Sequence, residues 1–552
     1  MANPIVSREL VSILRTRRML FFQCGLVFLF TLLVIIRWPT EPRMAASGVR
    51  SQQVFRLFAY GLLITLLLVF PVFPATSIVR EKNRGTLALL LNTSLGAWRI
   101  YCGKLLGMLG LSGVLLALSL PAAAACYASG GVSLAGELPG AYAILALVVL
   151  QYAALGLCVS SYANTTDEAV RWTYGLILFF SVLSLGPHQF FQGQEGYFGE
   201  VGERLRCLSP FAAMMSLLGA GDVTAQGLLS TAGVPGRFAV AALVVTALAA
   251  VATLGRLNHR IFDQSRPQGQ ISDDRHVVVR AARRVFFLVD PQRRSRGIGP
   301  LVNPVMVKEF RCRRFGRLHW LLRLVSGCAI LSLFLTYAAT QETIEWGAET
   351  VGAILVLMQV ALLVLITPSL AAGLIAGERE SGGWALLMTT PLSVLRIVWG
   401  KLLSVTLTLL LVLCATLPGY VVMVYIQPEM RAEVERVVIC LAATAVFGML
   451  ISAAVGSMFR RTAPATAAAY AALLAVCAVP LLVWMGRDAP FGRQTVESAL
   501  VIDPVAAALS VIRAPGFGDY NLIPANWWFL VISSAAALAL LAFRTWRLSR
   551  PQ

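Results

Sequence analysis

A chain of 552 residues in which 58% are hydrophobic and 13% charged, with a mean hydropathy of +0.75, carries more apolar surface than a soluble fold can hide. Its net charge of +19 raises nucleic acid as a partner, but the cations sit beside apolar runs and in one linker. Charge segregation across a membrane explains that distribution and leaves no nucleic-acid-binding patch.

The apolar residues gather into runs of roughly 17 to 25, the length that crosses a bilayer, and lack the period-2 alternation of barrel strands. Backbone amides in such runs must pair within the segment, so an all-α integral membrane protein is expected. In chain order the first half yields spans at Met19–Ile36, Leu57–Pro74, Leu105–Ala128, Ala141–Tyr162, Trp172–Leu185 and Phe238–Leu254. The second half yields Leu324–Ala339, Val351–Ile375, Leu402–Ile426, Val437–Met458, Ala463–Met485 and Trp527–Phe543. The expectation is therefore about 12 transmembrane helices, the fifth being the shortest.

Arg15, Arg17 and Arg18 precede the first span, and no small-residue cleavage site follows it, the pattern of an uncleaved signal anchor. Arg80, Lys82, Arg84, Arg99 and Lys104 follow the second span, Arg171 precedes the fifth, and Arg256 and Arg260 follow the sixth, all on one side. Arg37, Arg43, Arg50, Arg204, Arg206 and Arg237 dilute this bias without reversing it. Retention of positive charge then places both termini in the cytoplasm of a multi-pass protein of the cell (plasma or inner) membrane.

Residues 256–300 join the halves and hold ten Arg against four Asp. The mixed apolar and basic stretch His276–Phe287 suits either a solvated linker or a segment lying on an anionic leaflet, with membrane lipid as its partner. The ten cysteines are scattered without a C-x-x-C pair, and His188, His259, His276 and His319 show no ligand spacing. No disulfide framework, metal site or cofactor is expected from them.

An internal repeat organises the rest. Glu81 to Leu95 aligns without gaps to Glu378 to Leu392, every position advancing by 297, and the register continues from Gly103-Lys104-Leu105-Leu106 onto Gly400-Lys401-Leu402-Leu403. Asn3-Pro4 with Arg8-Glu9 answers Asn303-Pro304 with Lys308-Glu309, and Ser209-Pro210 answers Asp503-Pro504. An even number of spans leaves both copies pointing the same way, giving two parallel six-helix repeats in one pseudo-dimeric chain: residues 1–255, a linker 256–300, and residues 301–552. Within the repeated loop, an acidic and Gly-punctuated start leads to the apolar run Leu87–Leu91. A short amphipathic cytoplasmic helix is predicted there, serving either as a docking element or as an interfacial anchor.

At these residues the sequence resembles the type-2 permeases of ATP-binding cassette (ABC) exporters. The resemblance is carried by the Asn-Pro and basic-acidic stretches at Asn3–Arg18 and Asn303–Arg317, and by Glu-x-x-x-Gly leading through Leu-Leu to Gly-Lys at Glu81–Lys104 and Glu378–Lys401. It covers nearly the whole chain. It implies an interfacial elbow helix in each half, with Asn3, Arg8 and Glu9 matching Asn303, Lys308 and Glu309. It also implies ATPase-coupling loops at Glu81, Arg84, Gly85 and Thr93 and at Glu378, Arg379, Gly382 and Thr390, and short outer-face helices before each sixth span. The implied function is the permease subunit of an exporter, moving substrate outward at the interface of its halves and powered by separate ATPase subunits in two copies. Accessory subunits stay open. Family subunits usually carry one six-span unit and pair, whereas two are fused here, and Ser94 stands where the second copy has Pro391.

No ATPase is legible in the chain. Gly103-Lys104 and Gly400-Lys401 are not followed by Ser or Thr and have no Gly five residues earlier, so neither is a phosphate loop. The alternatives are an ion-coupled secondary transporter, which needs ionisable residues near the midplane that these spans essentially lack, and a non-transporting membrane scaffold or enzyme, for which no catalytic constellation accumulates. The substrate is not legible.

Overall fold

The computed structural model describes residues 4–15, 49–93, 95–128, 132–133, 136–185, 197–218, 233–259, 303–312, 348–485, 492–514 and 516–550, together with His188 and short pieces within 20–31 and 326–330. All regular structure among them is helical, and ten helical spans are long and apolar enough to cross a membrane. Ten of the twelve expected spans are thereby found. The expected spans Met19–Ile36 and Leu324–Ala339 lie largely outside the described residues, as do Asn3, Ser94 and nearly all of the linker. Two compact units are formed, Met1–His259 with Leu474–Asp503, and Arg260–Leu473 with Pro504–Gln552.

The first half runs α1 (Pro4–Leu14), α2 (Val49–Val69), α3 (Val72–Asn83), α4 (Thr86–Leu91), α5 (Ala97–Ala128), α6 (Glu137–Tyr162), α7 (Thr166–Ser181), α8 (Tyr197–Arg206), α9 (Pro210–Leu217) and α10 (Val234–His259). Helices α2 and α3 make one span that is interrupted at Phe70-Pro71, where proline has no N–H to continue the ladder. The predicted end at Pro74 is overrun because Ala75 to Asn83 stay helical, so Arg80, Glu81 and Lys82 ride on the end of a membrane helix. The fifth span also starts earlier than its apolar residues, at Thr166. Thr165 Oγ1 accepts from the Glu168 amide at 3.2 Å, Glu168 returns a bond to the Asn164 amide at 3.2 Å, and Asp167 pairs with Arg171 at 2.6 Å. This capping box lets polar residues form the first turn.

The second half repeats the order as α11 (Pro304–Cys312), α12 (Ala348–Ala371), α13 (Gly373–Glu380), α14 (Gly383–Met388), α15 (Val394–Ile426), α16 (Arg431–Ser457), α17 (Thr462–Met485), α18 (Arg493–Leu500), α19 (Pro504–Val511) and α20 (Ala525–Ser549). The short pairs α8–α9 and α18–α19 occupy the expected place before each sixth span. Helices α6 and α16 are the buried centres of their halves, and α10 and α20 are the least covered. Helix α6 packs on α3 and α10, while α16 packs on α12 and α20. In lipid such packing rests on close approach of small residues rather than on a hydrophobic drive between helices. Gly156 of α6 shows this, since a Cβ there would come within 2.9 Å of Pro74.

Candidate functional site

At one end of each half, the helix carrying the second span stops, turns and restarts. Gly85 at φ 71° and Gly382 at φ 74° supply the left-handed residue of the turn, a conformation a Cβ disfavours. The six-residue helices α4 and α14 follow, confirming the short helix expected at Leu87–Leu91 and extending it to the second copy. Thr93 and Thr390 each donate a side-chain bond of 2.6 Å to the carbonyls of Leu90 and Leu387. They satisfy acceptors left open at the end of a short helix.

The acidic residues singled out in these loops face α1 and α11. Glu81 is 13% exposed; its carboxylate takes Arg8 at 2.5 Å and Lys104 at 3.1 Å. Lys104, 1% exposed, also reaches Glu9 at 3.2 Å and Ser77 Oγ at 3.0 Å. The second half repeats the joint: Glu378 takes Lys308 and Lys401, each at 2.9 Å, and Lys401, 2% exposed, also pairs with Glu309. Among the described residues, four charges in each half thus tie together α1 or α11, the end of the second span and the start of the third. Lys104 and Lys401 were not among the expected site residues, although the repeated Gly-Lys dipeptide signalled them.

The glycine of that dipeptide has its own reason. Asn303 accepts from the Val305 amide at 3.0 Å, capping α11, and donates to the Arg396 carbonyl at 2.8 Å. A Cβ at Gly400 would come within 2.6 Å of the Asn303 side-chain oxygen. In the first half Gly107 gives similar room, with a Cβ there lying 3.0 Å from Glu9 Cβ.

The remaining expected residues divide by exposure. Lys82 and its repeat equivalent Arg379 reach the turn between the fourth and fifth spans, bonding Asn164 Oδ1 at 3.3 Å and the Phe459 carbonyl at 3.1 Å. Arg84 caps α3 with its backbone and leaves its side chain exposed. Each short helix has two faces: Leu87 and its equivalent Trp384 point inward and are buried, whereas Leu89 and its equivalent Leu386 are 69% and 71% exposed. These two leucines stand beyond the charged joint, past the end of the membrane helix, at matching positions in both halves.

The charge state of this joint is set locally. Burial pushes the Glu9 carboxyl up, but Lys104 and Arg8 outweigh it and hold the group below the ordinary carboxylate value. A lowered folded-state value contributes stability that is complete above the ordinary 4.5 and drains as the pH falls below it. As far as Glu9 is concerned, thermal unfolding in detergent should therefore be insensitive to pH near neutrality and lose stability below about pH 4.5. In the Glu9→Gln variant that acid-side loss should shrink; an unchanged acid limb would show that Glu9 does not participate in it.

A family model described as ABC-2 family transporter protein matches residues 4–265, and a second model of the same description matches residues 336–543. No curated protein and no solved structure matches the chain.

Proposed function

The chain belongs to the ABC-2 family of transporter proteins, with one permease domain in each half, and on that premise we propose that it exports substrate across the cell membrane while two ABC ATPase subunits engage its two repeated loops. It is a multi-pass protein and the transmembrane subunit of an ABC transporter; its domains are non-catalytic, and ATP hydrolysis belongs to a partner. In the proposal, α4 and α14 lie in the cytoplasm with both termini. Nucleotide-driven closure of the ATPases pushes on these helices, and the charged joints pass the movement to the second and third spans and to the elbow.

The observation that supports this reading is the pair of outward leucines, Leu89 and Leu386, repeated 297 residues apart on short helices beyond the membrane ends. Burying each against a partner is worth on the order of 1.5–3 kcal/mol, about 10- to 100-fold in affinity. Tagged protein purified in mild detergent should carry an ABC ATPase at about two copies per chain, quantified by mass spectrometry. The Leu89→Asp/Leu386→Asp double variant should insert normally yet lose that ATPase and its stimulation. Unchanged co-purification and stimulation would reduce α4 and α14 to interfacial anchors. No ATPase with the wild-type chain would favour the secondary-transporter or scaffold reading.

A further inference from the structure

In each half a tyrosine of the fifth span bonds the backbone of the second span beside its proline. Tyr174 donates to the carbonyl of Leu68, and Tyr470 donates to the carbonyl of Leu365 at 2.5 Å. Each carbonyl stands three residues before a proline, Pro71 or Pro368, and both the leucines and the prolines correspond at the repeat offset of 297. Both tyrosines are buried. A proline has no N–H for the carbonyl four residues back, here Leu67 or Val364, and its ring pries open that turn, which holds the carbonyl of Leu68 or Leu365 that the tyrosine takes. Inside a bilayer no water reaches a carbonyl in an opened turn, and a neighbouring helix supplies the donor.

The fourth span closes on the same place. A Cβ at Gly156 would meet the Ala75 amide at 3.1 Å, and one at Gly456 would overlap the backbone of Ala372, the repeat equivalent of Ala75. Yet the irregular turn itself differs between copies. The first half is interrupted at Phe70-Pro71 and is already helical at Pro74 and Ala75, whereas the second stays helical through Pro368 and breaks at Ala372. One repeated element thus holds its break at two positions about a turn apart.

We propose that this segment is a hinge in the second span of each half and that Tyr174 and Tyr470 are its positioning residues, each holding the interrupted helix by a releasable hydrogen bond. The hinge stands on geometry alone. Only its consequence, that it sets the angle at which α4 and α14 meet an ATPase, rests on the function proposed above.

The test is a double-mutant cycle on the full chain in lipid nanodiscs, read by hydrogen exchange over residues 66–76 and 363–373. Tyr174→Phe and Tyr470→Phe should speed exchange there about tenfold by removing the donor alone. Pro71→Ala and Pro368→Ala restore the N–H that pairs with Leu67 or Val364 and let the turn close over the carbonyl of Leu68 or Leu365. In those backgrounds the Tyr→Phe change should alter exchange less than twofold. Independent, multiplying effects, or no effect of Tyr→Phe, would overturn the hinge. Where wild-type protein carries its ATPase, the Tyr→Phe variants should keep it bound while its stimulation falls about fivefold. An ATPase missing from the wild type counts against the docking reading, and the exchange cycle still decides the hinge.

Discussion

Lys401→Met should lower the unfolding free energy of the second half by about 3–5 kcal/mol, the cost typical of removing one partner from a buried ion pair. The ammonium is 2% exposed and lies between Glu309 and Glu378, which are themselves largely covered. Methionine keeps the volume of the stem but takes the buried cation from two largely covered carboxylates; Lys308, the other cation among the described residues, is nearly half exposed. The loss should appear as a lower midpoint in thermal unfolding followed by tryptophan fluorescence in detergent. Adding Glu309→Gln and Glu378→Gln should return much of it, because neutral amides need no counter-ion and residues of one network are not additive. A loss below about 1 kcal/mol would mean that the joint is solvated, as exposed ion pairs are. Lys104→Met should behave alike in the first half, where Arg8, Glu9 and Glu81 are the other charges among the described residues.

Gly456→Ala should be comparably damaging for a steric reason. The new Cβ would lie 2.8 Å from both the Ala372 carbonyl carbon and its Cα, besides overlapping the carbonyl oxygen. Backbone cannot rotate out of the way as a side chain can, so α16 must separate from the break between α12 and α13. Overpacking of this kind costs about 1–3 kcal/mol and occasionally more, and obstruction by backbone places Gly456 at the upper end. Gly373→Ala, where a Cβ meets nothing within 4 Å, is the matched control and should change the midpoint little. Equal effects of the two variants would contradict close contact at Gly456.

Much of this architecture was legible because a bilayer imposes length and hydropathy on each segment. Among the described residues the structure places helical spans at ten of the twelve expected positions, and the short loop helices coincide with the repeated apolar run. The departures are local and polar. Thr165 and Glu168 start the fifth span before its apolar residues begin, and the helix after Pro71 runs nine residues past the predicted end at Pro74 because Glu81 finds Arg8 of α1 and Lys104 of α5, and Lys82 finds Asn164. The site was only half legible. Glu81 and Glu378 were visible in the repeat, but their cations were not assigned to them.

Composition, periodicity and the repeat alone determined that this chain is a helical membrane protein of two matching halves, because those properties depend on how each segment partitions between water and lipid. Only the tertiary structure decided which residues of the repeat meet. Lys104 is 95 residues from Glu9, Lys401 is 92 from Glu309, and Tyr174 is 106 from Leu68. Local propensity carries no information across such separations. The same holds for the two faces of α4 and α14: spacing puts Leu87 and Leu89 on opposite sides of a helix, but only the packing of neighbouring helices selects which one is left exposed.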